Sequence, residues 1–282
     1  MTRQQKKTLK MALSYLVIVL IGCLLLFPIA WMISCAFKTN EEIFGSIALL
    51  PKSFSFQNFV DGWKSAGSYT YLTYFLNSFA LVVPTTVLTI ASSALVAYGF
   101  ARFEFPFKKQ LFALLIATLM LPNSVIIIPR YVLFNQFGWV DSYMPWWVPA
   151  ILACYPFFIY QLIQFMRSIP RDLDESAYID GCSTFRVFWQ ILLPLMKSSL
   201  FSAGLFQFLW TYNDYFNSLI FINSVKKYTV SLALRLSVDA ESVVVWGRVM
   251  AMACVAVLPL VLLFFAAQKY FVEGIATSGL KG

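Results

Sequence analysis

Glu175–Leu195 reads ESAYIDGCSTFRVFWQILLPL. It opens with charge, breaks at Gly181, resumes as an aromatic segment and stops at Pro194. Pro170, just upstream, suits a first helical position. Asp172 and Asp174 follow in the first turn, where the helix dipole favours negative charge. Leu173, Ala177 and Asp180 mark one face, widened by Tyr178 and Ile179. Gly181 then fits the left-handed position that ends a helix. Ser183 is placed to cap a second helix, in which Phe185, Phe188, Trp189 and Leu192 share a face at helical spacing. The stretch predicts two short helices joined by a glycine turn. The first is too polar to lie in lipid and suits protein docking, while the second also suits an interfacial helix resting on the membrane.

What surrounds this element is oily. The chain has 282 residues, of which 60% are hydrophobic and 12% charged. Soluble domains carry about twice that share of charge. Apolar stretches occupy 11–34, 72–100, 111–133, 146–165 and 249–272, with a more mixed one at 200–222. Each is long enough to cross a bilayer as a helix, and none alternates as a barrel strand would. The chain therefore reads as an all-α polytopic membrane protein with six transmembrane helices. The first stretch is longer than a signal-peptide core and lacks a small-residue cleavage site, so it is expected to remain as a span.

Loop charge sets the orientation. The N-terminal segment (Arg3, Lys6, Lys7, Lys10), the 101–110 and 166–198 loops and the tail hold thirteen of the 21 Lys and Arg residues. Both termini and the Glu175–Leu195 elbow are thus expected on the cytoplasmic side of the membrane. The net charge of +8 is accounted for by an anionic leaflet and implies no nucleic acid.

Several chemistries are disfavoured. The five cysteines are scattered without a C-x-x-C pair, and there is no histidine. No metal site, disulfide framework or cofactor is expected. No phosphate-cradling G-x-x-x-x-G-K-[ST] occurs, so any ATP chemistry is expected in trans, and the missing histidine and lack of a paired catalytic constellation disfavour an enzyme. Pro28, Pro84, Pro122, Pro129, Pro156 and Pro259 interrupt or border the spans. Asp214, an ionisable group at membrane depth, either lines a path or makes an interhelical bond. Asn77, Asn213, Trp210 and Tyr212 are the other candidates for a translocation path, with helix–helix packing as the alternative for each.

Glu175-Ser176-Ala177, Asp180-Gly181 and Ile191-x-x-Pro194 resemble the "EAA" loop of ABC importer permeases, E-A-A-x-x-x-G followed by I-x-L-P. Ser176 replaces the first Ala, and Cys182 replaces the usual Ala after Gly. Leu76–Lys109, Leu121–Tyr143, Phe208–Phe221 (FLWTYNDYFNSLIF) and Gln268–Gly282 (QKYFVEGIATSGLKG) are similar to the corresponding stretches of carbohydrate-type, maltose-like permeases. The resemblance implies a type I ABC importer permease fold. It places an N-terminal segment with the first span and an outer loop at 1–71, a five-helix core at 72–272 with a coupling loop at 168–195, and a tail at 273–282. It further implies a second permease subunit, two cytoplasmic ATPase domains, an extracytoplasmic sugar-binding protein and a sugar or oligosaccharide substrate. Glu175, Ser176, Ala177, Asp180, Gly181, Ile191 and Pro194 would couple to the ATPase through the 172–192 elbow, with Ala177 allowing close approach. Lys226, Lys227, Asp239 and Glu241 in the 223–248 loop would meet the binding protein. A secondary transporter or channel is the competing class. It calls for several buried charges or an inverted repeat, and the sequence displays one mid-span acid.

Overall fold

The computed structural model describes residues 3–64, 68–239 and 244–279, and side chains at 1–9, Asp239 and 269–279 lie outside the description. The described residues form helices and connecting turns, with no β-strand. The helices used below are α1 (Arg3–Cys35), α2 (Tyr71–Arg102), α3 (Lys108–Leu119), α4 (Asn123–Gln136), α5 (Met144–Ile151) and α6 (Pro156–Arg167). They continue as α7 (Asp172–Ile179), α8 (Thr184–Leu195), α9 (Lys197–Tyr212), α10 (Tyr215–Phe221), α11 (Val230–Asp239) and α12 (Trp246–Gly279).

Four segments are long and apolar enough to cross a membrane: Lys10–Cys35, Tyr71–Arg102, Met144–Arg167 and Trp246–Gln268. The count reaches six if each sharply bent pair, α3 with α4 and α8 with α9, is one span. Three stretches expected to be single helices are broken instead. Between α3 and α4 the chain turns by 103°. The break falls at Met120–Pro122, because the residue before a proline avoids the helical region and Pro122 is an extended N-cap. Between α5 and α6 the break falls before Pro156, with Ala153 in a left-handed conformation at φ 55°. Asn213 and Asp214 separate α9 from α10. Pro28, Pro84 and Pro259 are carried inside continuous helices.

The chain divides into two compact units. The first comprises Met1–Tyr71 and Leu234–Leu258. Its centre is Lys38, a buried cation whose ammonium lies 4.5 Å from the Trp31 ring centroid and donates to the Ala48 carbonyl. Asn58 donates to the carbonyls of Ala36 and Lys38 at 3.0 Å. Asn40 donates to the Val244 carbonyl and accepts from the Trp246 amide. Any Cβ at Gly247 would fall 2.4 Å from the Lys38 carbonyl oxygen, so only glycine permits this approach.

The second unit comprises Leu72–Ala233 and Pro259–Gly282. One of its apolar clusters joins Ala94, Ala97 and Tyr98 of α2 to Phe158, Leu162 and Met166 of α6 and to Val187, Phe188 and Leu192 of α8. Small residues on α2 let the backbones approach, as is usual between membrane helices. A second cluster gathers Leu81, Phe134, Trp146, Phe221 and Leu232.

At one end of α2 the loops are stapled by polar groups. Asn77 donates to the carbonyls of Lys226 and Tyr228 at 2.7 and 2.9 Å. Ser78 accepts from the Val230 amide at 2.9 Å. Asp141 accepts from the amides of Asn223 and Ser224, the Ser224 hydroxyl and the Lys227 ammonium. Burial alone would raise the Asp141 carboxyl. The bonds from Ser224, Lys227 and Asn223 outweigh it and hold the group well below the usual carboxylate range. Its stabilisation is therefore present above the unfolded value of about 4 and is lost as pH falls below it. Asp141→Asn, which tolerates the left-handed φ of 59° at this position, is expected to cost roughly 2 kcal/mol at neutral pH. Thermal denaturation of purified wild-type and variant protein should show the difference constant near neutral pH and shrinking as pH falls below about 4.

Candidate functional site

The elbow between α6 and α9 is built locally. α7 carries Asp172, Asp174 and Glu175 in its first turn, complementing the dipole. It begins at Asp172 with Arg171 as N-cap, so Pro170 precedes the helix and does not occupy its first position as expected. Its end is a Schellman motif. Gly181 has φ 79°, the Cys182 amide bonds to the Ala177 carbonyl at 2.9 Å, and the Gly181 amide bonds to the Tyr178 carbonyl at 3.1 Å. Ser183 then caps α8, accepting from the Arg186 amide at 3.4 Å. A π-helical turn at Phe188–Leu192 precedes Pro194. The wider turn lies where a proline ring would otherwise crowd the carbonyl four residues back.

The elbow is seated on the end of α2. Arg102 Nε lies 2.6 Å from Asp174 Oδ2, with the two side chains 6% and 9% exposed. The Arg102 guanidinium also donates to the Ile169 carbonyl at 3.1 Å, and Arg171 donates to the Ala101 carbonyl at 3.3 Å. Tyr98 donates to the Thr184 carbonyl at 3.0 Å and packs its ring 4.9 Å from that of Phe188. Burial pushes the Asp174 carboxyl up, and the guanidinium groups of Arg102 and Arg171 oppose it. The cation is thus what makes a carboxylate tolerable there.

The other face is open. Glu175, Ser176, Asp180 and Gly181 are exposed, Ile191 is half-buried and Pro194 is exposed. Ile179, Phe185 and Trp189 are 87%, 67% and 62% exposed, and the Phe185 and Trp189 rings stack at 6.3 Å. Ala177 departs from the expectation that it admits a partner closely. It is buried against the chain's own core with Val187 and Leu192. Sequence reasoning missed Tyr98, Arg102 and the inward role of Asp174. The available signal was an acid and a small residue three positions apart, Asp174 and Ala177, on a helix otherwise polar.

The remaining candidates do not converge on one place. Asp214 caps α10, accepting from the Asn217 amide at 3.1 Å, and accepts from the Trp146 indole at 3.1 Å. Asn213 bonds back to the Leu209 carbonyl. Trp210 is half-exposed and lies 4.9 Å from Phe157, while Tyr212 is buried beside Phe79 and Phe208. Asn77 is committed to the 226–228 backbone and Lys227 to Asp141, whereas Lys226 is exposed. The Asp239 side chain and Glu241 lie outside the described residues. Among the described residues no group of His, Cys, Asp and Glu is arranged to hold a metal ion.

Residues 90–277 fit the family described as "Binding-protein-dependent transport system inner membrane component". The chain belongs to that family. It is 34% identical over 256 residues to the probable ABC transporter permease protein YurM of Bacillus subtilis, covering 91% of this chain and 84% of that one. It is 29% identical over 278 residues to the trehalose/maltose transport system permease protein MalG of Thermococcus litoralis, covering 99% of each. Its fold matches the crystal structure of a bacterial ABC transporter involved in the import of the acidic polysaccharide alginate. The TM-score is 0.82 at 17% identity, over 96% of this chain and 99% of that one.

The protein is accordingly a multi-pass inner-membrane permease component of an ABC importer. It is not an enzyme, and the ATPase is a separate subunit. The glycine at the elbow supplies a direct check. A Cβ at Gly181 meets no atom within 4 Å, so only the backbone resists substitution. Gly181→Ala is expected to cost about 1–2 kcal/mol and Gly181→Asn less, measured as the denaturation midpoint of purified protein.

Proposed function

We propose that this chain forms half of the translocation pathway of an ATP-driven carbohydrate importer and that its 172–192 elbow seats in a cleft of the cytoplasmic ATPase. The observation that carries the reading is the elbow itself. It is rigidly capped, held by a buried ion pair, and presents Ile179, Phe185 and Trp189 bare beside Glu175 and Asp180. Bulky apolar groups ringed by polar ones mark a protein-binding surface. In this reading Glu175 pairs with a basic group of the ATPase and Ser176 and Asp180 rim the contact. Gly181 sets the turn, Ala177 seats the elbow on the bundle, and Ile191 and Pro194 terminate it.

In this reading α3 with α4 is one span and α9 with α10 another, giving six with both termini cytoplasmic and leaving α7 and α8 as the elbow. The core is the 72–272 region, with the 273–282 tail beyond it. A second permease subunit completes the pathway, a second ATPase domain completes the motor, and an extracytoplasmic binding protein delivers the substrate. The names of the relatives favour a sugar or oligosaccharide. Lys226, on the outer 223–248 loop, is the exposed cation offered to the binding protein, and Asp239 and Glu241 belong to the same loop. Trp210 is the open aromatic candidate for the path. Asn77, Asn213, Asp214 and Tyr212 serve chiefly to hold the helices that shape it.

Affinity purification of the tagged chain from its native membrane is expected to bring down a nucleotide-binding subunit. Ile179→Glu should reduce that recovery about tenfold or more, as hot-spot loss does, with membrane insertion unchanged. A wild-type chain that elutes with no nucleotide-binding partner would overturn the reading.

A further inference from the structure

The elbow is joined covalently to α6 and α9, yet its charged and hydroxyl bonds reach a third helix. Asp174 meets Arg102, Arg171 meets the Ala101 carbonyl, and the Thr184 carbonyl meets Tyr98. All three partners belong to the last turns of α2, which is continuous from Tyr71 to Arg102. Its first turns are bound just as firmly to another segment, through Asn77 to the carbonyls of Lys226 and Tyr228 and through Ser78 to the Val230 amide.

We infer that Arg102 and Asp174 are positioning residues that lock the elbow to α2, and that α2 acts as a push-rod between the elbow and the 226–230 segment at its far end. The inference rests on the ATPase-coupling reading above. Its physical basis is the stiffness of each joint. A buried ion pair with supporting carbonyl bonds has one favourable arrangement, and removing either partner strands the other charge. Tyr98 adds a hydroxyl bond and a ring packed on Phe188, so the joint resists rotation as well as separation. A helix transmits displacement along its axis because its hydrogen bonds run that way, and α2 keeps this ladder on both sides of the one rung that Pro84 removes. A cap at one end only would leave the far segment free. Asn77 and Ser78 remove that freedom.

Spatial intermediacy is not coupling, so the test measures coupling. The complete transporter would be reconstituted with its ATPase, carrying Asp174→Asn, Arg102→Gln, the double variant or Arg102→Lys. Position 226 would be changed to cysteine in a cysteine-free background, and its thiol labelling rate compared with and without a non-hydrolysable ATP analogue. The wild-type joint is expected to give a nucleotide-dependent change in labelling that Asp174→Asn and Arg102→Gln abolish. Substrate uptake per ATP hydrolysed should fall about tenfold, within the usual range of coupling strengths. The double variant should be no worse than either single change, and Arg102→Lys should retain part of the response. ATPase recovery on purification should stay unchanged throughout.

Tyr98→Phe, which removes one hydroxyl and leaves the ring, keeps the test open if the charge variants fold poorly. It should weaken the labelling response in the same direction. An unchanged labelling response in all folded variants would overturn the push-rod, and so would additive losses in the double variant. A wild-type chain that recovers no ATPase would instead sink the coupling reading itself.

Discussion

Water is absent from a bilayer core, so each amide and carbonyl there must find its partner within the protein. That constraint produces the long helices α1, α2 and α12. It also dictates where they are allowed to break. At Asp214 the carboxylate caps the freed amide of Asn217 and takes the Trp146 indole proton. At the α5–α6 break the Cys154 amide bonds back to the Pro149 carbonyl. At both of these breaks a local donor or acceptor replaces a lost rung.

The same accounting explains the elbow. A glycine turn alone would leave carbonyls of α7 unpaired. The Schellman bonds from Gly181 and Cys182 satisfy two of them, and Ser183 satisfies the Arg186 amide in the first turn of the helix that follows. What remains is charge. Asp174 faces inward on a helix whose neighbours are apolar, and Arg102 supplies the counter-charge from a helix end whose dipole favours a cation. The pair thus serves a helix terminus and one oxygen of a buried acid together, while Asp174 Oδ1 is buried with no hydrogen-bond partner.

The legible part of the fold is the part written locally. Apolar length located the spans, Gly181 located the turn and Ser183 the cap, because each acts through neighbours a few residues away. The bends at Met120–Pro122, Ala153 and Asn213 were harder to read, since composition is unchanged across them and the deciding feature is one residue's backbone preference. Arg102 with Asp174, Tyr98 with Thr184 and Asp141 with Ser224 were not legible. Each joins segments far apart in the chain, and no periodicity within either segment reports on the other. Ala177 shows the converse error. Membership of a motif suggested an outward role, while its burial shows that the motif's small residue serves internal packing.

Ile179, Phe185 and Trp189 remain bare in the isolated subunit although its other side is closely packed. A copy made in excess has nothing to hide that corner. Exposed apolar surface of this kind promotes aggregation and proteolytic triage for as long as the corner stays uncovered.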